Sequence, residues 1–428
     1  MNRSSRILTI LALVVLLTSA CQPVRKFAAS PSPPTAAAAA LDEATVTKFD
    51  EYVTKHQAGN NVPGLAVGIV KDGQLVYTKE LGVANVDTGE PVTAETVFRL
   101  ADIDAIPTAI AILQLAEQGK IDLDEPVTTY LPYFQLRDER YKDITVRHIL
   151  EGRSGLHDAG DNAENWAAYP SVTDEGAVER FVRGMAEDSL LFTSQLAFAP
   201  GEGFERSYLA YIVLGDVIQK VSGQSYEEYV SENIFAPLGM ENSTMLLSEV
   251  DPALLAAPHI VQEGDFNIKT AKIVVSDLVP YSREFAAADN FYSNLEDMAR
   301  LLAALLNGGE LDGVRILSPE SVALLWTPTG PAGDERGLYT GIERSARVHQ
   351  QFGLGGYMGD IAGCPVYHIF GMQLGYRANV MLCPDENLAV LVMGNRGQNE
   401  RLHQGIVDER YALNMVPDIM SMLLEDTE

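Results

Sequence analysis

Two aspartates, Asp102 and Asp104, stand one residue apart at the start of an apolar stretch with helical spacing. A carboxylate in such a position could act as a general base and activate a water molecule. A serine nucleophile would instead need a proton acceptor one helical turn later, as in Ser-x-x-Lys. None of the ten lysines has a serine three residues before it. The chemistry available at this position is therefore that of carboxylates.

A second group of candidate residues, His157, Asp158 and Asp161, could suggest a metal or acid–base site. The chain has no Cys/His pair with zinc spacing and no His-Glu-x-x-His, so a solvated loop is the better interpretation. Ser154, in Gly152-Arg-Ser-Gly155, lacks the final glycine of a nucleophile elbow and is interpreted as a turn residue. We expect neither a metal nor a cofactor.

The elements that would position these residues are strands at both ends of the chain and helices between them. Helices are predicted at 107–118 and 208–222, from apolar residues at helical spacing. The pattern predicts an α+β fold, in which N- and C-terminal strands form one antiparallel sheet flanked by helices, with a large, mostly helical insertion at about 123–289. The remaining predicted elements are helices at 41–57 and 298–306, strands at 64–70, 74–81, 353–357, 366–370, 378–382 and 388–393, and a last helix at about 404–424.

Cys364 and Cys383 flank a predicted hairpin that folds about Gln373-Leu374. Their equal distances from that midpoint would place them opposite each other, so a disulfide is plausible in an exported protein. Two free thiols on paired strands remain an alternative, because cysteine also serves as a small buried hydrophobe.

Residues 1–20 have the pattern of a cleavable export signal: a basic head, a short apolar run, and Ser-Ala before Cys21. This ending is typical of a lipobox, in which Cys21 carries the lipid; an ordinary signal peptide with an incidental cysteine is the alternative. Residues 21–41, rich in proline, serine and alanine, predict a flexible tether, and 42–428 a single domain. The protein is therefore expected to be exported and lipid-anchored to a bacterial membrane, at the extracytoplasmic face or the outer membrane.

The formal charge of the chain, 31 basic minus 59 acidic residues, is −28. Such a surface repels nucleic acid and anionic headgroups, so nucleic-acid binding is excluded. No second apolar run approaches the length of a membrane span.

Several short motifs follow one another in a fixed order: Thr96-Val-Phe-Arg-Leu-Ala101, Ser154-Gly-Leu156, Tyr211-Ile-Val-Leu-Gly-Asp-Val-Ile218 and Ile234-Phe-Ala-Pro-Leu-Gly-Met240. In this order they resemble the serine β-lactamase family, which includes class C β-lactamases, D-alanyl-D-alanine carboxypeptidases and related esterases. The similarity returns near the C-terminus and covers nearly the whole mature chain. It implies a β-lactamase/transpeptidase-like fold.

The resemblance also implies a chemistry, which is acyl transfer through a covalent intermediate. A serine at a helix N-terminus attacks a carbonyl, and the lysine of Ser-x-x-Lys assists removal of its proton. A tyrosine from Tyr-x-Asn shuttles protons. A Lys/His-x-Gly strand supplies an amide of the oxyanion hole.

The first two of these motifs are degenerate in this sequence. Asp102 stands at the serine position and Ala105 at the lysine position, so the nucleophilic hydroxyl and the proton acceptor are both replaced. Arg206 and Tyr208 stand at the two defining positions of Tyr-x-Asn. A carboxylate at position 102 would also repel a developing oxyanion.

The third motif is degenerate as well. Gly371 and Gly375 keep the family's glycine spacing, which puts Ile369 where lysine or histidine belongs. His368 lies one residue early, and on a strand this offset points its ring at the opposite face. If His368 is aligned instead, Phe370 replaces the following glycine.

Pro107 indicates that the helix after Asp102 begins late. A helix starting at Asp102 would place this proline in its second turn, with loss of a backbone hydrogen bond. With Asp104 as N-cap, Pro107 falls among the amides that have no helical partner. We expect the nucleophile turn to be rebuilt.

The cleft of the family is expected to hold an ion pair in this chain. Asp102 and Arg206 occupy positions that face each other, so a salt bridge is predicted, with Asp104 as a competing partner and solvation of both side chains as the alternative. Arg153 and Arg377 could edge the pocket and hold a carboxylate, although a solvent-facing arginine is the default.

Two functions of different classes are compatible with these residues. The favoured one is a pseudoenzyme, an extracytoplasmic binding or scaffolding lipoprotein whose ligand is a peptide carboxylate or cell-wall fragment. The alternative is a β-lactamase-, esterase- or peptidase-like hydrolase in which Asp102 or Asp104 activates water directly. That alternative requires a base and an oxyanion donor converging on one point, and the sequence offers aspartates but no lysine, tyrosine or correctly phased histidine there.

Overall fold

The computed structural model describes residues 41–158, 171–189, 192–262, 270–276, 281–332, 351–397 and 411–425. The helices in this part of the chain are α1 Glu43–Gly59, α2 Ala105–Glu117, α3 Val127–Tyr130, α4 Val146–Leu150, α5 Ala177–Gly184, α6 Tyr208–Ser222, α7 Tyr226–Val230, α8 Ala236–Leu238, α9 Leu295–Leu306, α10 Pro319–Leu325 and α11 Tyr411–Glu425. The strands are β1 Gly64–Lys71, β2 Gln74–Gly82, β3 Phe98–Arg99, β4 His259–Val261, β5 Ile273–Val275, β6 Tyr292–Ser293, β7 Glu310–Leu311, β8 Val314–Arg315, β9 Gly330–Pro331, β10 Gln351–Phe352, β11 Tyr357–Ile361, β12 Cys364–Gln373, β13 Tyr376–Cys383 and β14 Leu388–Gly394.

One eight-stranded sheet, in the order β2-β1-β14-β13-β12-β11-β10-β9, unites the two ends of the chain. The N-terminal hairpin joins the C-terminal strands through the antiparallel pairing of β1 with β14, where Leu65 lies opposite Gly394. The predicted antiparallel sheet of N- and C-terminal strands is therefore confirmed.

Both faces of this sheet are covered by helices. On one face, Val67 and Ile69 of β1 belong to a core shared with α1 and α11. On the other face, Ala66 and Val70 belong to a core shared with α2, α6 and α9. Because β1 is buried on both sides, its sequence is apolar along its length instead of alternating. In the described residues, no helix is both long and apolar enough to span a bilayer.

The structure corrects one of the predicted strands. Residues 353–356, predicted as strand, form the connection between β10 and β11, where Gly355 has a φ of 87° and a Cβ on Gly356 would collide with the Tyr367 ring. The insertion contains a short ribbon of β4 with β5 besides its helices. The last helix is described from Tyr411, so its predicted start at 404 lies outside the described residues.

The β12–β13 hairpin folds one residue later than predicted. Tyr367 lies opposite Leu382, which centres the hairpin between Leu374 and Gly375 and places Cys364 diagonal to Cys383 instead of directly opposite it. The two Cα atoms are 6.2 Å apart and the sulfurs form a disulfide, a separation typical of such bonds. Both cysteines are buried in the core that includes α1 and α11.

Candidate functional site

The candidate site lies where the end of β12 meets the turn before α2. A Cβ on Gly371 would collide with the carbonyl oxygen of Leu100, so the absence of a side chain allows the strand to approach the turn this closely. The next residue, Met372, directs its backbone N–H at the turn. The glycine therefore places an amide donor beside position 102.

Asp102 is held by two donors from separate segments of the chain. Its Oδ2 accepts a hydrogen bond from the Met372 backbone N–H at 3.2 Å. Its Oδ1 lies 3.2 Å from Nη1 of Arg206, and Nη2 of Arg206 donates to the backbone oxygen of Asp102 at 3.3 Å. The carboxylate therefore bridges the strand amide and the arginine that stands at the tyrosine position of the second motif.

The turn that carries Asp102 is a 3-10 helix, Ala101–Asp104, and α2 follows at Ala105. Ala101 has a φ of 51°, a left-handed conformation that costs an alanine about 1–2 kcal/mol. Such outliers persist where the surrounding structure enforces them, often at functional sites. Pro107 is the third residue of α2, where its missing N–H removes no helical hydrogen bond.

Asp104 is the N-cap residue of α2, as predicted, but its side chain makes no capping hydrogen bond. It is 1% exposed, and its Oδ2 finds no hydrogen-bond partner among the described residues. Burial raises the pKa of Asp104 well above its ordinary value, and the charges of Asp102 and Asp289 raise it further. Burial therefore favours the protonated form of Asp104 and denies this carboxyl group access to water.

Position 105, where the resemblance places a lysine, holds an apolar group. Ala105 is 1% exposed and belongs to the core between α2 and α6. The cation next to Asp102 comes instead from Arg206, whose guanidinium carbon lies 6.0 Å from the centroid of the Phe370 ring. The positive charge at this point therefore enters from the segment before α6 and not from α2.

A second ion pair, Arg99 with Asp289, lies near the first. The sequence did not predict it. Nη2 of Arg99 is 2.6 Å from Oδ2 of Asp289 and also donates to Oδ1 of Asn290 at 3.0 Å. The side chain of Gln373, at the end of β12, donates to the same aspartate oxygen. A charged Arg99 within an apolar run was the available signal, but its partner lies 190 residues further along the chain.

Arg153 and Arg377, predicted to edge the pocket, are used by the backbone instead. Arg153 donates to the carbonyl oxygens of Gly203 and Pro331, both at 3.3 Å. Arg377 is 4% exposed and donates to its neighbour Tyr376 at 2.8 Å and to Gln373 at 3.0 Å. These contacts support a loop and the hairpin, and the burial of Arg377 corrects the expectation that its side chain faces solvent. That the two arginines hold a ligand carboxylate stays a prediction.

His368 and Ile369 point to opposite faces of β12. Nε2 of His368 contacts Oδ1 of Asn379, whose Nδ2 donates to the backbone oxygen of Ala412 in α11. Ile369 packs in the core on the helical-insertion side. Burial lowers the pKa of His368 to about 4, which keeps its ring neutral at physiological pH. His368 therefore belongs to the anchoring of α11 and lies outside the cleft.

The remaining predicted site residues hold local structure. The backbone N–H of Tyr208, the first residue of α6, donates to Asp158 at 3.0 Å, and Gly375 takes a φ of 81° in the hairpin turn. His157 lies 3.6 Å from a carboxylate oxygen of Glu205, and Asp161 lies outside the described residues. Within the described chain, no group of three or more His, Cys, Asp or Glu side chains is arranged to hold a metal ion.

Solved structures identify the class of protein that this sheet and cleft define. The octameric penicillin-binding protein homologue from Pyrococcus abyssi is similar to this chain with a TM-score of 0.72 and 25% identity, covering 89% of this chain and 77% of that one. A penicillin binding protein from Bacillus halodurans is similar with a TM-score of 0.64 and 23% identity, covering 88% of this chain and 99% of that one. The fold is therefore that of the β-lactamase/transpeptidase class.

The family follows from the sequence comparison. The family described as Beta-lactamase matches residues 49–411, and the chain belongs to it. Penicillin-binding protein 4 of Amycolatopsis lactamdurans is 27% identical over 280 residues, which cover 65% of this chain and 68% of that protein. Esterase EstB of Burkholderia gladioli is 30% identical over 228 residues, 51% of this chain and 56% of that protein, so the chain spans little more than half of the esterase's length.

Proposed function

We propose that this member of the beta-lactamase family is a binding protein that does not form an acyl-enzyme. The observation that carries the proposal is the Asp102 carboxylate, which accepts the Met372 N–H and pairs with Arg206. In the family's chemistry a strand amide of this kind polarises the carbonyl under attack. Here the amide already donates to the Asp102 carboxylate, so it is not available to a substrate carbonyl while that contact is made.

The chemistry of neighbouring positions supports the same proposal. Ala105 has no group that accepts a proton, and Ile369 has no charge. Asp104, the remaining carboxyl of the turn, is buried away from water, and this burial raises its pKa. The alternative in which Asp102 or Asp104 activates water therefore has a base that is either paired or buried, and the binding function is the better supported of the two.

Hydrolysis assays with a chromogenic ester and a chromogenic cephalosporin test this proposal. We expect the wild type, Asp102→Asn and Asp104→Asn to give the same rate as buffer alone. Turnover by the wild type that falls at least tenfold in either Asn variant would establish aspartate-based hydrolysis and overturn the proposal. Turnover that neither substitution changes would also overturn it and point to a different nucleophile.

We further propose that the protein is exported and held at a membrane through a lipid on Cys21. The support is the apolar run that ends in Ser-Ala-Cys21, followed by the tether-like segment 21–41. In the native host the wild type is expected in the membrane fraction, and Cys21→Ser in the soluble extracytoplasmic fraction. An equal distribution of the two proteins would contradict the anchor.

A further inference from the structure

We propose that Arg206 and the Met372 backbone amide form a receptor, that is, a binding site, for a monocarboxylate ligand. In the structure the Asp102 side chain of the same chain occupies this receptor. A ligand carboxylate would bind by taking the place of this side chain. The inference rests on the proposed binding function and adds the chemical class of the ligand and the contact that regulates its entry.

The two donors are positioned independently of the carboxylate that they hold. Met372 lies on β12, where it pairs with Arg377 on the neighbouring strand. Arg206 also donates to the backbone oxygen of Asp102 at 3.3 Å and lies 6.0 Å from the Phe370 ring centroid. These contacts do not involve the Asp102 side chain, so the receptor is expected to persist when that side chain is removed or turned away.

The geometry matches a planar anion with two oxygens. Oδ1 and Oδ2 of Asp102 each have their own donor at 3.2 Å, one on a guanidinium and one on an amide. A ligand carboxylate reproduces this pair of contacts, since guanidinium and backbone N–H groups both donate to carboxylate oxygens. A dianion such as phosphate is disfavoured by the formal charge of −28.

The site is also accessible. The side chains of Arg206 and Asp102 are 13% and 16% exposed, whereas those of Arg99 and Asp289 are 0% and 3% exposed. The pair of Asp102 with Arg206 therefore reaches solvent, and its anion can be exchanged. The pair of Arg99 with Asp289 is buried and does not reach solvent.

Chemical rescue tests the receptor, because Asp102 can be cut back by one or two carbon atoms. Asp102→Ala removes a group the size of formate, and Asp102→Gly removes one the size of acetate. Both variants are expected to melt at lower temperature than the wild type. Formate should raise the Tm of Asp102→Ala in a saturable manner, and acetate should do so best for Asp102→Gly.

The matched control is Asp124→Ala, which removes the aspartate of a surface pair with Arg147. Its Tm, like that of the wild type and of Asp102→Asn, should respond to formate and acetate no more than to sodium chloride at the same ionic strength. The double variant Asp102→Ala/Arg206→Ala should lose the rescue.

Equal Tm shifts in Asp124→Ala and the two shortened variants would overturn the receptor, because the anions would then act nonspecifically. Folded shortened variants that do not respond would overturn it as well. If Asp102→Ala or Asp102→Gly is unfolded without added anion, we expect it to fold in saturating formate or acetate. Continued absence of folding, while Asp102→Asn folds, would contradict the receptor. Turnover by the wild type would overturn the proposed function but leave a positive rescue standing.

Discussion

Two aspartate–arginine pairs at the same end of the sheet differ in what surrounds them. Arg99 and Asp289 are sealed, and they hold further hydrogen bonds to Asn290 and Gln373. The pair of Asp102 with Arg206 is partly exposed and engages a strand amide. Similar chemistry is therefore buried in one place and partly exposed in the proposed binding cleft in the other.

The largest effect is expected from breaking the sealed pair. Asp289→Asn leaves the Arg99 charge buried beside an uncharged group, which should lower the free energy of unfolding by about 3–5 kcal/mol. Urea unfolding followed by circular dichroism measures this. The double variant Arg99→Met/Asp289→Leu should be closer to wild type than Asp289→Asn, because it leaves no uncompensated charge; a double variant that is less stable than the single one would contradict this account.

His368, which is buried on the other face of the sheet, is expected to make the stability of the protein depend on pH. The pKa of His368 is lowered to about 4 in the folded protein by burial, against about 6.5 in the unfolded chain. Above pH 6.5 both states are neutral. As the pH falls from 6.5 to 4, the unfolded state gains a proton first, and the wild type should lose about 2–3 kcal/mol of stability from this group.

The matched variant is His368→Gln, which can still donate to Asn379 but does not titrate. Urea unfolding at pH 7.5 and pH 4.5 should give a smaller loss for this variant than for the wild type, because the other titrating groups are common to both. Equal losses in the two proteins would show that His368 is not the titrating group.

An intermediate effect is expected at the cleft pair. Asp102→Asn keeps the shape of the side chain and removes its charge, and should destabilise the protein by about 1–2 kcal/mol, since solvent partly screens both partners. The same urea titration measures it beside Asp289→Asn. A loss as large as that of Asp289→Asn would mean that the cleft pair is structural.

The smallest effect is expected on the surface. Asp124 and Arg147 form a two-point pair at 2.6 and 3.0 Å, yet Asp124 is 69% exposed. Asp124→Ala should change the unfolding free energy by about 0.5 kcal/mol or less. A change above that of Asp102→Asn would break the ordering by burial.

The sheet could be predicted from the sequence because strand signals are local. The hairpin about Asp72-Gly73 and the apolar run of β14 specify their own strands, and the antiparallel order follows from short connections and the resemblance. Residues 353–356 were misassigned because apolar neighbours outweighed the glycines, whose close packing against Tyr367 is a tertiary contact. The centre of the hairpin was predicted one residue too early, which shifts the strand pairing by two residues, since turn geometry decides the register.

The candidate site could be predicted only where family motifs give the alignment. Asp102 and Arg206 were identified as facing residues in this way. The Met372 contact depends on how closely Gly371 approaches Leu100, which no spacing in the sequence encodes. The role of Arg153 depends on the backbone carbonyls of Gly203 and Pro331, which lie far away in the sequence, and it could not be predicted either.

We propose that the anion at position 102 leaves this cleft without acylation chemistry. Intact-protein mass spectrometry of the wild-type mature domain, after incubation with a fluorophosphonate and separately with a penicillin, tests it most directly. We expect the mass of this domain to be unchanged under conditions that fully label an active penicillin-binding protein in the same tube. A stoichiometric adduct that peptide mapping places on a serine would contradict it.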